Sequence, residues 1–162
     1  MNFIAIDPGT TESAYVVFED GMLAEHDIVP NDDLLVLLLD EYMQGYGTVD
    51  TLVVEYFECH GNPVGKESIR TIWWTGRFKE TWRGAYFELT RNQVKMHLCQ
   101  SPRAGDPNVT QALVDMYGGT MQKAKGTIKQ PGPLFGVRAD IWQALAVGVT
   151  YLALQKERAA HP

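Results

Sequence analysis

Cysteine is scarce in this chain of 162 residues. The two present, Cys59 and Cys99, stand in no C-x-x-C and beside no histidine pair at zinc spacing. That excludes a zinc ribbon or a disulfide scaffold, and the expectation is reduced thiols in a cytoplasmic protein. Long apolar runs are also missing. Leu34 to Leu39 is six residues, far short of the ~20 that span a bilayer, so no membrane partner is expected. Asp7 interrupts the apolar start, so no signal peptide is expected. Positive charge is in deficit: 14 Lys and Arg against 20 Asp and Glu leave a net charge of −6. A passive nucleic-acid coat should be basic; an enzyme with a local basic groove is not excluded. His60 and His97 have no partner at ligand spacing and read as ordinary polar residues. No internal repeat is present.

What is there is an ordinary globular composition, 45% hydrophobic and 21% charged. The length suits one domain, 1–158, with 159–162 as a frayed tail. The organising stretch is Asn2 to Phe18. Phe3-Ile4-Ala5-Ile6 suits a strand buried on both faces. Asp7 ends it, Pro8-Gly9-Thr10-Thr11 turns, and Ser13 to Phe18 returns as a second strand. Asp-Pro-Gly is also ordinary turn chemistry, so Asp7 alone reads either way. Asp20-Gly21 then predicts a hairpin to a third antiparallel strand, Met22 to Val29.

A helix is expected from about Asp33 to Gln44, stopped by Gly45 and Gly47. Thr51 to Val54 is the next apolar strand, ended by Glu55. After a crossover helix it should lie parallel to the first strand and beside it. Asp7 and Glu55 then meet at one sheet edge. Beyond a loop from Tyr56 to Gly65, a helix is predicted over Lys66 to Trp82, its apolar side marked by Ile69, Ile72, Trp73, Gly76 and Phe78. A short strand from Ala85 to Leu89 and a helix from Arg91 to Cys99, capped by Thr90, follow. After a linker from Pro102 to Pro107, Asp106 or Asn108 caps a helix that ends at Gly118-Gly119. Met121 to Gly136 reads as a long loop carrying Lys123, Lys125 and Lys129. The last helix is placed from Val137 to about Glu157. The sum is an α/β layered domain with a mixed sheet.

Two carboxylates at adjacent strand ends raise each other's pKa. A hard divalent cation such as Mg²⁺, which takes oxygen ligands, resolves the repulsion. Asp140, placed in the first turn of the last helix, could supply a third carboxylate. An acid is equally at home there as a helix-start residue facing the dipole.

The set IDPGTT, LVVEYF and RADIWQALAVGV, in that order and spacing, resembles RuvC-type Holliday junction resolvases. The resemblance runs nearly the whole chain. GNPVGKESIRTIWWTGRF and KGTIKQPGPLFGVRADIWQALAVGV look particularly like small phage- or prophage-encoded members. It implies an RNase H-like (retroviral integrase) fold: a mixed five-stranded sheet, three antiparallel strands then parallel ones, with helices on both faces. It implies a homodimeric endonuclease that nicks two strands of a four-way DNA junction symmetrically, leaving 5′-phosphate and 3′-hydroxyl ends. Asp7, Glu55 and Asp140 match the family's catalytic, metal-holding acids. The family's usual fourth Asp is Gln143 here, one turn from Asp140 and able to offer only an amide oxygen. Two Mg²⁺ ions are implied, with Mn²⁺ able to substitute.

DNA contacts are then expected from Lys66 and Arg70, with Arg77 and Lys79 further along that helix. Lys123, Lys125, Lys129 and Arg138 are the other candidates. Any one of them reads equally as solvated surface charge. Phe57 matches an aromatic that wedges into the junction, with packing under its loop as the alternative. Of Trp73 and Trp74, about 100° apart on a helix, one is expected in the core and the other at a dimer interface. Other readings are a junction binder without activity, a nuclease on RNA–DNA hybrids, flaps or forks, and a nucleotide-binding domain of the actin and sugar-kinase type.

Overall fold

A computed structural model gives the architecture. It describes residues 1–43, 49–59, 61 and 63–160, without the side chains of 41–43. The expected helix stop at Gly45 and Gly47, His60, and the tail residues 161–162 lie outside the described residues.

The chain opens with three strands, β1 (Phe3–Asp7), β2 (Glu12–Glu19) and β3 (Met22–Pro30). Helix α1 (Asn31–Met43) crosses to β4 (Thr51–Tyr56), and α2 (Lys66–Thr81) crosses to β5 (Ala85–Thr90). Then come α3 (Arg91–Cys99), α4 (Asp106–Met116), the short α5 (Met121–Lys125) and the long α6 (Ile141–Ala160). The sheet order is β3-β2-β1-β4-β5. β1 pairs antiparallel with β2 and parallel with β4, as the sequence reading expects, and β5 continues the parallel side.

Alternation along β1 builds two cores. Phe3 and Ala5 face one, with Val16, Phe18, Val53 and the buried side of α6. Ile4 and Ile6 face the other, with Leu34 and Leu38 of α1 and Trp74 and Phe78 of α2. Both faces being covered, β1 and β4 read as unbroken apolar runs. Gly148 lets α6 lie close on the sheet: a Cβ there would stand 2.6 Å from the Phe18 ring.

Three features differ from the sequence reading. The stretch from Met121 is not loop throughout: α5 occupies Met121–Lys125, capped by Thr120, and is too short to show a period. Gly126 and Pro131 then bridge across a tight turn. The last helix begins at Ile141 rather than Val137 and runs to Ala160, past the expected end at Glu157. On α2 the apolar side divides. Trp74 and Phe78 are buried, whereas Ile69, Ile72 and Trp73 face solvent, Trp73 being 55% exposed.

The turn after Asp7 is pinned from below. The buried Ser13 hydroxyl donates to Asn31 Oδ1 at 2.6 Å and accepts from the Gly9 N–H at 3.0 Å. Asn31 Nδ2 donates to the Gly9 carbonyl at 3.1 Å, and its backbone N–H donates to the Thr11 carbonyl at 3.0 Å. Ser13→Ala leaves a buried amide oxygen and the Gly9 N–H without this partner, which costs about 1–3 kcal/mol. Urea unfolding should show a lower midpoint with an unchanged slope.

Candidate active site

The parallel register places the first two acids. Ile6 pairs with Val54, so Asp7 and Glu55 are the next residues on neighbouring strands. Both lie at C-terminal strand ends, where parallel sheets open to ligands. They line one pocket of about 340 Å³ with Pro8, Phe57, Thr71, Arg91 and Lys95.

The third acid arrives from the other side of the sheet. The segment leading to α6 is tied to β3: His26 Nε2 donates to the Phe135 carbonyl at 3.0 Å, and Arg138 meets Asp27 at 3.7 Å. Ala139 takes a left-handed φ of 43°, sparsely populated for a residue with a Cβ. Asp140 follows as the residue just ahead of α6, not inside its first turn. Its carbonyl accepts from the Gln143 N–H at 2.9 Å and the Ala144 N–H at 3.1 Å. Its side chain is exposed.

The electrostatics join the three. Burial, then the Glu55 charge, push the Asp7 carboxyl well above its usual range; Asp140 and Asp106 add to the rise, and Arg91 opposes it. Glu55 is raised as well, burial outweighing the nearby Arg91. Its side chain is only 11% exposed.

Arg91 and Asp106 are the site residues that sequence reasoning missed. Arg91 Nη1 lies 3.1 Å from Glu55 Oε1 and 3.4 Å from Oε2, while Nη2 reaches Asp106 Oδ1 at 2.7 Å. Burial works against the guanidinium charge, but Glu55 and Asp106 outweigh it and raise its pKa. A signal existed. β5 runs parallel to β4, so the residue after Thr90 must emerge at the same edge as Glu55. Lys95, one turn along α3, faces the same pocket.

The other expected site residues scatter around this centre. Phe57 lines the pocket and is partly exposed. Lys66 and Arg70 are exposed on the first half of α2, and Thr71 beside Arg70 reaches the pocket. Lys123 and Lys129 are exposed, and Lys125 lies over the Trp142 ring at 5.9 Å. Arg77 instead covers the Trp73 and Trp74 rings, and Lys79 pairs with Glu88. Gln143 is half-buried.

The donor set fits a hard divalent ion in kind, being carboxylate oxygens that repel one another. Among the described residues, no three carboxylate, imidazole or thiol groups already stand gathered about one point. Asp7 and Glu55 are fixed by the strand register, whereas the Asp140 side chain is exposed.

The domain has an RNase H-like α/β fold, with Asp7 and Glu55 side by side at its sheet edge. The chain is similar in structure to RuvC from Thermus thermophilus, with a TM-score of 0.67, 15% identity and 97% of each chain covered. It is also similar to T. thermophilus RuvC in complex with a Holliday junction substrate, with a TM-score of 0.66, 15% identity and 96% of each chain covered. No family model and no curated protein matches the sequence. No helix among the described residues is long and apolar enough to cross a membrane.

Because its folded pKa is raised, native Asp7 holds a proton more readily than the unfolded chain does. The resulting penalty is absent below the unfolded value near 3.8 and complete above the folded one, so stability falls as pH rises between them. Asp7→Asn removes that charge. The variant should melt above the parent protein at pH 8, by ~2–4 °C for each kcal/mol relieved. The gap should close as the pH approaches 3.8; equal melting temperatures at pH 8 would contradict the reading.

Proposed function

We propose that this protein is a metal-dependent endonuclease that resolves four-way DNA junctions. The observation that carries the proposal is the meeting of Asp7 and Glu55 at adjacent parallel strand ends, with the Asp140 charge felt at Asp7. The overall likeness to RuvC, one structure of which holds a Holliday junction substrate, supports the same reading.

Asp7, Glu55 and Asp140 would hold two Mg²⁺ ions, with Mn²⁺ as a substitute and Gln143 as an auxiliary oxygen donor. Bound there, the ions supply Lewis-acid charge to the scissile phosphate and lower the pKa of the attacking water. The chain's own part is positional. Asp7 and Glu55 are fixed by the register of β1 and β4, and Asp140 closes from the segment before α6. Water attacks phosphorus in line as the 3′ oxygen leaves, giving a 5′-phosphate and a 3′-hydroxyl, so no side-chain nucleophile is needed. The duplex arms are held away from the acids, by Lys66 and Arg70 on one side and by Lys123, Lys125, Lys129 and Arg138 on the other. Phe57, partly exposed at the pocket lining, would wedge between bases at the crossover. The cell compartment that suits this work is the cytoplasm.

On a synthetic four-way junction with Mg²⁺, the protein should give paired nicks. Asp7→Asn and Glu55→Gln should bind without cutting. Ca²⁺, which prefers more ligands and looser geometry, should preserve binding and suppress cutting. Undiminished cleavage in excess chelator contradicts the proposal, and binding without nicks by the unaltered protein points to a junction binder instead. Replacing Lys123, Lys125 and Lys129 with alanine should flatten the salt dependence of binding by about 0.9 in slope for each lysine that touches a phosphate.

Symmetric nicking needs two sites, and therefore a second copy. The exposed Ile69, Ile72 and Trp73 face of α2 is the apolar surface that suits the contact. Trp73→Glu should convert a dimer to a monomer in light scattering. A dimer of unchanged affinity would move the interface elsewhere.

A further inference from the structure

Arg91 is held in place before any ligand arrives. β5 delivers it to the edge beside Glu55, and a capping box locks the first turn of α3: Thr90 Oγ1 accepts from the Gln93 N–H, and Gln93 Oε1 accepts from the Thr90 N–H at 2.8 Å. Its guanidinium is then divided between two acids of different kinds. Toward Glu55, nearly buried, the contacts are 3.1 and 3.4 Å from a single nitrogen. Toward Asp106, on the more open side at 58% exposure, the contact is 2.7 Å. The shorter, charge-assisted bond goes to the acid outside the proposed catalytic set.

We propose that Arg91 is a positioning residue that substitutes for the divalent charge at Glu55 when the site holds no ion, and that Asp106 retains its guanidinium when Glu55 turns to an ion. The proposal rests on the nuclease reading of the site. A fork-shaped cation with two anchors can release one without being left unpaired. The guanidinium, still anchored by Asp106, stays close enough to repel the incoming ion. Arg91 and Asp106 therefore set the ion affinity of the centre in opposite senses. Arg91 lowers it. Asp106 raises it by drawing Arg91 off Glu55.

The test is Mn²⁺ binding by the full chain without DNA, read by electron paramagnetic resonance at pH 8. Arg91→Gln should bind Mn²⁺ more tightly on the order of tenfold, the figure for a unit charge about 6 Å from a divalent ion screened as in water. Arg91→Lys, which keeps the charge, should stay near the parent. Asp106→Asn should bind more weakly, and most of that loss should vanish in the Arg91→Gln background, where there is no guanidinium to draw away. Should Arg91→Gln fail to fold, the weakening by Asp106→Asn and the parent-like affinity of Arg91→Lys remain as the test. Parent protein that binds Mn²⁺ while neither Arg91→Gln nor Asp106→Asn changes its affinity overturns the proposal and leaves the nuclease reading standing. A parent that takes up no Mn²⁺ at millimolar concentration overturns both.

Discussion

Two carboxylates that repel each other, held side by side, are the constraint on which the rest of this structure depends. Asp7 and Glu55 cannot relax apart because the strands beneath them are buried on both faces. Phe3 to Ile6 and Thr51 to Val54 are all buried. Sliding β4 by one residue would turn Leu52 and Val54 out of one core and Val53 out of the other. Hydrophobic burial fixes the register, and the register forces the acids together. Burial first, and for Asp7 the Glu55 charge next, raise the two carboxyl pKa values, and Arg91 opposes both rises.

The surrounding chain is shaped by that need. Gly9 is required where the turn after Asp7 closes on itself, since a Cβ would stand 2.1 Å from the Glu12 carbonyl oxygen. Ser13 and Asn31 fix the same turn from the buried side. Ala139 accepts a left-handed backbone immediately before Asp140. α6 tolerates this because almost every residue from Ile141 to Tyr151 is buried, so the helix is anchored whatever its entry does. The exception in that run is Gln143, half-buried between buried Trp142 and Ala144. An ionised acid half-buried at that position would carry a desolvation cost. A neutral amide avoids that desolvation.

Much of the fold was legible because it is written in patterns of short range. Phe3 to Ile6 and Thr51 to Val54 are apolar runs of strand length, Asp20-Gly21 marks a hairpin, and the right-handed crossover rule then leaves little freedom for β4. Asp7 and Glu55 follow from those steps alone. Arg91 and Asp106 did not, because their significance lies in contacts across elements. The same parallel-strand logic applied once more, to β5, reaches Arg91; Asp106 carries no signal beyond that of an acid at a helix start. The five residues of α5 are too few for periodicity. The outward turn of Ile69, Ile72 and Trp73 on α2 defeats an apolar-face reading, because an exposed apolar residue looks the same in sequence as one in a core.

The proposed function asks an acidic chain to hold a polyanionic ligand. Net charge is −6, yet Asp7 and Glu55 share one pocket while lysines and arginines are spread over α2, α3 and the segment from α5 to α6. Long-range attraction from such an arrangement is weak and screened within about 8–10 Å at ordinary salt. A duplex passing at a distance gains little. On the proposed nuclease reading, a ligand that presents phosphates to several of these elements at once, as the diverging arms of a branched molecule do, would meet cations on more than one element and set one phosphate over Asp7 and Glu55. On that reading the two acids would repel it until divalent charge is present. Attraction at the periphery and conditional repulsion at the centre would together favour bound, branched, ion-loaded complexes over linear ones, with no sequence-specific contact needed for that preference.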